Sequence, residues 1–207
     1  MVDKNPHIYL RGRRKVLITA PHAEEHKRKG QFKQAERTTG QIATFLSEQY
    51  NCHALLTNGR QDHDPSFDAY CPLTLNTCPF KDKIDAIIKQ HGIRLVIDLH
   101  LLRQDRPFLF VIGTNDELTT LGYAFLTPLL KSKLAHIAAE DLCLVNPEFG
   151  YSARHKAAIA RYVSGKHFVP SIQLEINTSL CQEWQEVSLQ LADFVRQTVP
   201  LNRKSLI

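Results

Sequence analysis

No run of apolar residues in this chain approaches the roughly 18 to 20 that a membrane span requires, so no membrane partner is expected. The opening stretch MVDKNPHIYLRGRRK lacks the apolar segment of a signal peptide, and a cytoplasmic location is the expectation. The five cysteines, at positions 52, 71, 78, 143 and 181, form no C-x-x-C pair. Their odd number argues against a complete disulfide framework and for free, mostly buried thiols. There is no internal repeat, low-complexity tract or linker, so residues 1–207 are read as a single domain. A net charge of +5 invites a nucleic-acid reading. The basic clusters (Arg11 to Lys15, Lys27 to Lys29, Arg203 and Lys204) stand beside no RNA-binding aromatic motif and no helix-turn-helix pattern, so nucleic acid is not an expected partner. A mild positive field equally favours small anionic substrates, carboxylates among them.

What the chain does have is a rhythm. Runs rich in Val, Ile and Leu predict strands near 7–10, 15–20, 53–57, 94–99, 108–112, 142–145 and 171–176. Amphipathic segments predict helices near 35–50, 81–91, 117–137, 153–164 and 182–197. This alternation predicts an α/β fold: a mixed, mostly parallel sheet with helices on both faces. In such sheets the ligand site lies beyond the carboxyl ends of the strands, so the strand ends are where chemistry is sought.

Three strand ends carry polar residues where core material is expected. KVLITAPH delivers His22 immediately after an apolar run, followed by Glu24, Glu25 and His26. RLVIDLH places Asp98 and His100 among core residues, and the two-residue period of a strand puts both on one face. A lone histidine in a strand is usually a core residue with its hydrogen bonds met. A carboxylate beside it is the arrangement that orients an imidazole as a metal ligand. PSIQLEIN sets Gln173, Glu175 and Asn177 opposite Ile172, Leu174 and Ile176. Burying an unpartnered carboxylate is costly, so this polar stripe needs strong partners, a wet edge position or a function. A further carboxylate, Glu36, stands just before the apolar stripe Ile42, Ala43, Leu46, where capping of a helix would by itself explain it. Taken together, His22, one glutamate and His100 make a two-histidine, one-carboxylate zinc (Zn2+) site with a position open for water, and Glu175 is the expected general base. Asp98 would hold His100 from behind, and Gln173 and Asn177 would contact substrate or steady the site.

In their order along the chain, PH at 21–22, KRKG and AERTTGQIA within 27–43, DLH at 98–100, DRPFLFVIGT at 105–114, NPEF at 146–149 and IQLEIN at 172–177 resemble the N-formylglutamate amidohydrolase-like family. The resemblance implies the α/β architecture of zinc-dependent exopeptidases and deacylases. It also implies a loop His, a Glu and a later His on the metal, with a Glu near the C-terminal strand for proton transfer. Two glutamates compete for the metal. His22 and Glu25 have the H-x-x-E spacing of zinc carboxypeptidases, whereas E-x-x-T-G-x-I-A at 36–43 is similar to the longer-loop form of zinc-dependent poly-γ-glutamate hydrolases. Glu36 is preferred, which leaves Glu24, Glu25 and His26 as a charged rim over the site.

The expected activity is hydrolysis of an amide in a small N-acyl amino acid or peptide. Arg106 and Arg154 are candidate clamps for its free carboxylate, because arginine pairs bidentately with carboxylates. Three alternatives stand beside it: a carboxypeptidase-like or poly-γ-glutamate hydrolase-like peptidase, a non-enzymatic module binding an acidic partner, and glycoside hydrolysis by paired carboxylates. The last leaves both histidines unexplained.

Overall fold

Val16, Leu17 and Ile18 lie at the centre of a seven-stranded sheet and have no exposed surface. The computed structural model describes residues 6–65, 78–148, 150–155 and 158–199. Its strands are β1 (His7–Leu10), β2 (Arg14–Ala20), β3 (His26–Arg28), β4 (Gln31–Lys33), β5 (Cys52–Thr57), β6 (Leu95–Leu102), β7 (Phe110–Gly113), β8 (Cys143–Val145) and β9 (Ser171–Asn177). The helices are α1 (Arg37–Tyr50), α2 (Pro79–His91), α3 (Leu126–Leu134), α4 (Ile159–His167) and α5 (Trp184–Thr198). The main sheet runs β1-β5-β2-β6-β9-β7-β8. Its central strands β5, β2, β6 and β9 are parallel, and antiparallel pairings join β1 to β5 and β7 to β9. This is the mixed, mostly parallel α/β sheet that the strand and helix rhythm predicts.

Strand alternation divides the core in two. Val16, Ile18, Ile97, Leu99, Ile172 and Leu174 face α1, α3 and α5, and the expected α1 stripe of Ile42, Ala43 and Leu46 packs against them, fully buried. Each buried Val, Leu or Ile among them contributes about 1.5–3 kcal/mol relative to exposure. On the other face Leu17, Leu55 and Val96 meet Phe80, Ile84 and Ile87 of α2 and Ile159 and Val163 of α4. That apolar cover ends partway along the strands. Beyond it the same face carries Thr19, Asp98, His100, Gln173 and Glu175, all buried.

Two predicted helices are shorter than expected. Residues 117–125 form turns before α3: Glu117, Leu121 and Gly122 take positive φ values of 66°, 54° and 78°. The Glu117 carboxylate instead accepts the hydroxyls of Thr114, Thr120 and Thr127. The 153–164 segment becomes helical only at Ile159, because its first residues, with Ala153 at φ 56°, form part of a loop against the site. Gly113 explains how close that loop comes, since a Cβ there would lie 2.5 Å from the Tyr151 carbonyl oxygen. One element is absent from the sequence expectations: the β3–β4 hairpin, closed by Lys29 and Gly30, both at positive φ, as a two-residue primed turn requires.

Candidate metal centre

Parallel pairing lines up five polar residues, in three cross-strand pairs, on one face at the carboxyl end of the sheet. Thr19 of β2 is opposite Asp98 of β6, Asp98 is opposite Gln173 of β9, and His100 is opposite Glu175. His22 follows β2 after the turn at Pro21. Its carbonyl accepts the Glu36 N–H at 2.8 Å, which draws the start of α1 to the end of β2. Glu36 occupies the N-cap position of α1, yet its side chain makes no capping hydrogen bond. It turns instead toward the histidines, with Oε1 3.4 Å from His22 Nδ1 and Oε2 accepting the Leu101 N–H at 2.9 Å. Glu25 is exposed. Of the two competing glutamates, Glu36 is therefore the one beside His22.

The histidines are oriented alike. His22 Nε2 lies 2.9 Å from Asp64 Oδ1, and His100 Nε2 lies 2.9 Å from Asp98 Oδ2. Carboxylates only accept, so both Nε2 atoms carry a hydrogen, and in the neutral tautomer of each ring Nδ1 is the nitrogen that a metal would use. Those Nδ1 atoms are 3.1 Å apart. Together with a Glu36 oxygen they form a three-donor group whose ligand atoms all lie within 4.8 Å of one another. Two imidazole nitrogens backed by carboxylates, plus one carboxylate oxygen, is a donor set that fits a divalent metal with a position left open. Thr19 Oγ1 donates to Asp98 Oδ1 at 2.6 Å, which fixes the carboxylate that fixes His100.

The electrostatics agree with a site built to hold positive charge. Burial works against a charged His100, but Asp98, then Glu175 and Glu36, raise its pKa to about 10. Burial likewise opposes charge on His22, and Glu36 and Asp64 outweigh it in raising the pKa. Burial also opposes the Glu36 carboxylate, which His22, His100 and the Leu101 N–H nevertheless hold below its usual range. Glu175 goes the other way: burial pushes it to about 7, with His100 opposing and Glu36 adding to the rise. Its Oε1 accepts from Gln173 Nε2 at 2.8 Å, and among the described residues Oε2 has no hydrogen bond.

His22, Glu36, Asp98, His100, Gln173 and Glu175 line a cavity of about 550 Å3, together with Arg28, Lys33, Arg103 and Arg154. Arg154 reaches it while paired with Asp116 through Nε and Nη2, at 3.2 and 2.9 Å. Arg106 is exposed and absent from the lining, because its segment turns outward after β6. Asn177 is also outside the cavity: its amide is used on the carbonyls of Arg103, Arg106 and Phe108, pinning the strand end. His26 is not rim. It is 2% exposed and stacked on His22. Asp64, with Arg28 on its second oxygen, was not anticipated. The signal for it was Q-D-H-D-P at 61–65, an acid- and histidine-rich stretch just past the end of β5, a strand parallel to β2. Replacing Asp98 or Asp64 with Ala should each lower metal affinity about 10- to 100-fold with the fold retained, measured by competition against a chelator. Unchanged affinity would reduce either carboxylate to a core partner.

Comparison with known proteins places this architecture. No family model matches the chain and no curated protein matches it in sequence. Among solved structures, it is similar to N-formylglutamate amidohydrolase from Ralstonia eutropha JMP134, with a TM-score of 0.60 at 11% identity over 93% of this chain and 98% of that one. The chain has the N-formylglutamate amidohydrolase-like fold. A bacteriophage poly-γ-glutamate hydrolase aligns with a TM-score of 0.54 at 18% identity over 92% of this chain and 86% of that one. A metallo-carboxypeptidase from Pseudomonas aeruginosa, in complex with (2-guanidinoethylmercapto)succinic acid, gives 0.57 at 13% identity over 92% of this chain. The present chain spans 61% of that carboxypeptidase. Among the described residues, no helix is long and apolar enough to cross a membrane.

Proposed function

We propose that this chain is a zinc-dependent hydrolase that cleaves an amide bond in a small N-acyl amino acid or short peptide bearing a free carboxylate. The observation that carries the reading is the convergence of His22 Nδ1, His100 Nδ1 and Glu36 beside a buried carboxyl group, Glu175. The fold relatives named as an amidohydrolase, a poly-γ-glutamate hydrolase and a metallo-carboxypeptidase support an amide or peptide bond as the target.

His22, Glu36 and His100 would hold the zinc, with Asp64 and Asp98 keeping the two Nε2 protons in place and both Nδ1 lone pairs directed at the ion. Zinc bound there supplies a Lewis acid for the carbonyl oxygen and brings the acidity of a water molecule near neutrality. Glu175, with a pKa of about 7, is poised to take the proton that the attacking water gives up and return it to the leaving nitrogen as the C–N bond breaks. Gln173 fixes Glu175 through Oε1, so the proton is carried on Oε2. Arg28, Lys33, Arg103 and Arg154 give the cavity cationic side chains suited to the substrate carboxylate.

Protein purified without an affinity tag should carry about one zinc per chain. It should also hydrolyse members of a panel of N-formyl, N-acetyl and N-succinyl amino acids and short peptides, lose activity on chelation and regain it with zinc. Absence of both zinc and hydrolysis would favour the binding-module alternative.

A further inference from the structure

The imidazole of His26 lies flat on that of His22, with ring centroids 3.9 Å apart and planes 11° from parallel. It is 2% exposed and lines the cavity. Among the described residues, neither of its ring nitrogens has a hydrogen-bond partner, and it is the only imidazole there with both nitrogens buried and unpartnered. Native folds rarely leave such atoms uncompensated, and buried polar side chains almost always meet a protein group, a water or a ligand. An imidazole held there offers the cavity two ring nitrogens for hydrogen bonding.

The ring is also held still. The Lys27 N–H donates to the Gln61 carbonyl at 3.1 Å, and the Gln61 N–H donates to the Glu25 carbonyl at 2.7 Å, so both chain neighbours of His26 are tied to the loop after β5. Next along the hairpin, Arg28 is paired with Asp64. That pairing also argues against a second metal ion on His26, His22 and Asp64: one Asp64 oxygen is used by His22 Nε2 and the other by a guanidinium. A rigid, desolvated ring with two unmet nitrogens on a cavity wall is preorganised for a polar group of a ligand.

We propose that His26 is a substrate-binding residue of this site, whose ring hydrogen-bonds an amide or acyl group of the substrate; the inference rests on the hydrolase reading above. His26→Phe preserves a flat ring against His22 and removes both nitrogens, whereas His26→Asn restores a donor and an acceptor on a shorter side chain. In zinc-loaded protein, zinc content, melting temperature, kcat and KM would be measured with N-formyl-L-glutamate and a γ-glutamyl peptide. Dissociation constants for the same probes would be measured by calorimetry in a Glu175→Gln background that stops turnover. The Phe variant should keep its zinc and melting temperature while KM and Kd rise about 10-fold and kcat changes less, and the Asn variant should recover part of the loss. A Phe variant that binds the probes as tightly as its parent overturns the proposal, and so does one that loses zinc, since the ring would then serve only to support His22. A parent chain that neither binds nor hydrolyses any probe brings down the hydrolase reading and this inference with it, whereas an active parent with an unaffected Phe variant refutes this inference alone.

Discussion

Replacing Glu175 with Gln is expected to lower turnover by about 10²- to 10⁴-fold while zinc content stays unchanged. Gln keeps the size of the side chain and an oxygen for the Gln173 amide to donate to, and loses only the ability to take a proton. The same variant carries a second signature in chelated protein. The folded-state pKa of Glu175 is about 7, above the ordinary 4.5, so between those values the native state holds a proton that the unfolded chain has released. Stability from this group is therefore present at low pH and lost as pH rises toward 7. Glu175→Gln should match the parent's melting temperature near pH 4 and exceed it at pH 8. Lower zinc occupancy in the variant would make Glu175 a metal ligand instead. A lower melting temperature at every pH would make it a structural partner.

Glu36→Gln should strip the metal, with a loss of affinity larger than the roughly 10- to 100-fold expected for carboxylates that act from behind a ligand. Glu25→Gln should leave affinity and turnover as they are, because Glu25 is exposed. The metal-free Glu36→Gln protein should remain folded, since the Glu36 side chain makes no capping bond to α1 whose loss would fray the helix. Equal loss of zinc from the Glu25 variant would transfer the ligand role to the H-x-x-E spacing.

The parts of the site that could be read in the sequence are those that break a rule of burial. Asp98, His100, Gln173 and Glu175 interrupt strands that otherwise alternate as core, and the strand period alone assigns them to one face. The strands themselves followed from their runs of Val, Ile and Leu, and α1, α2 and α5 from strong apolar stripes. What could not be read was set by contacts distant in sequence. Asp64 reaches His22 across a sequence separation of 42 residues, in a loop whose acidic character also fits a solvated turn. His26 looked like part of a charged surface because its neighbours Glu25 and Lys27 are charged, and the hairpin that buries it depends on a turn at Lys29 and Gly30. The 117–125 segment is expected to start a long helix, but Thr119, Thr120 and Gly122 are weak helix formers and Glu117 finds threonine hydroxyls for its carboxylate in the turn conformation.

The apolar cover of α2 and α4 stops short of the strand ends, and this divides the site into two materials. The floor, Asp98, His100, Gln173 and Glu175, stands on central strands paired on both sides, where a shift of one position would turn every side chain to the opposite face. The walls come from connections, residues 22–36 and 150–155, with Asp64 of the stretch at 61–65 backing His22. Loops of that kind tolerate insertion and replacement far better than strands do. Descendants of this chain can therefore change what they accept by exchanging walls while inheriting the floor intact, and an engineer seeking a new specificity should diversify the connections and leave the strands alone.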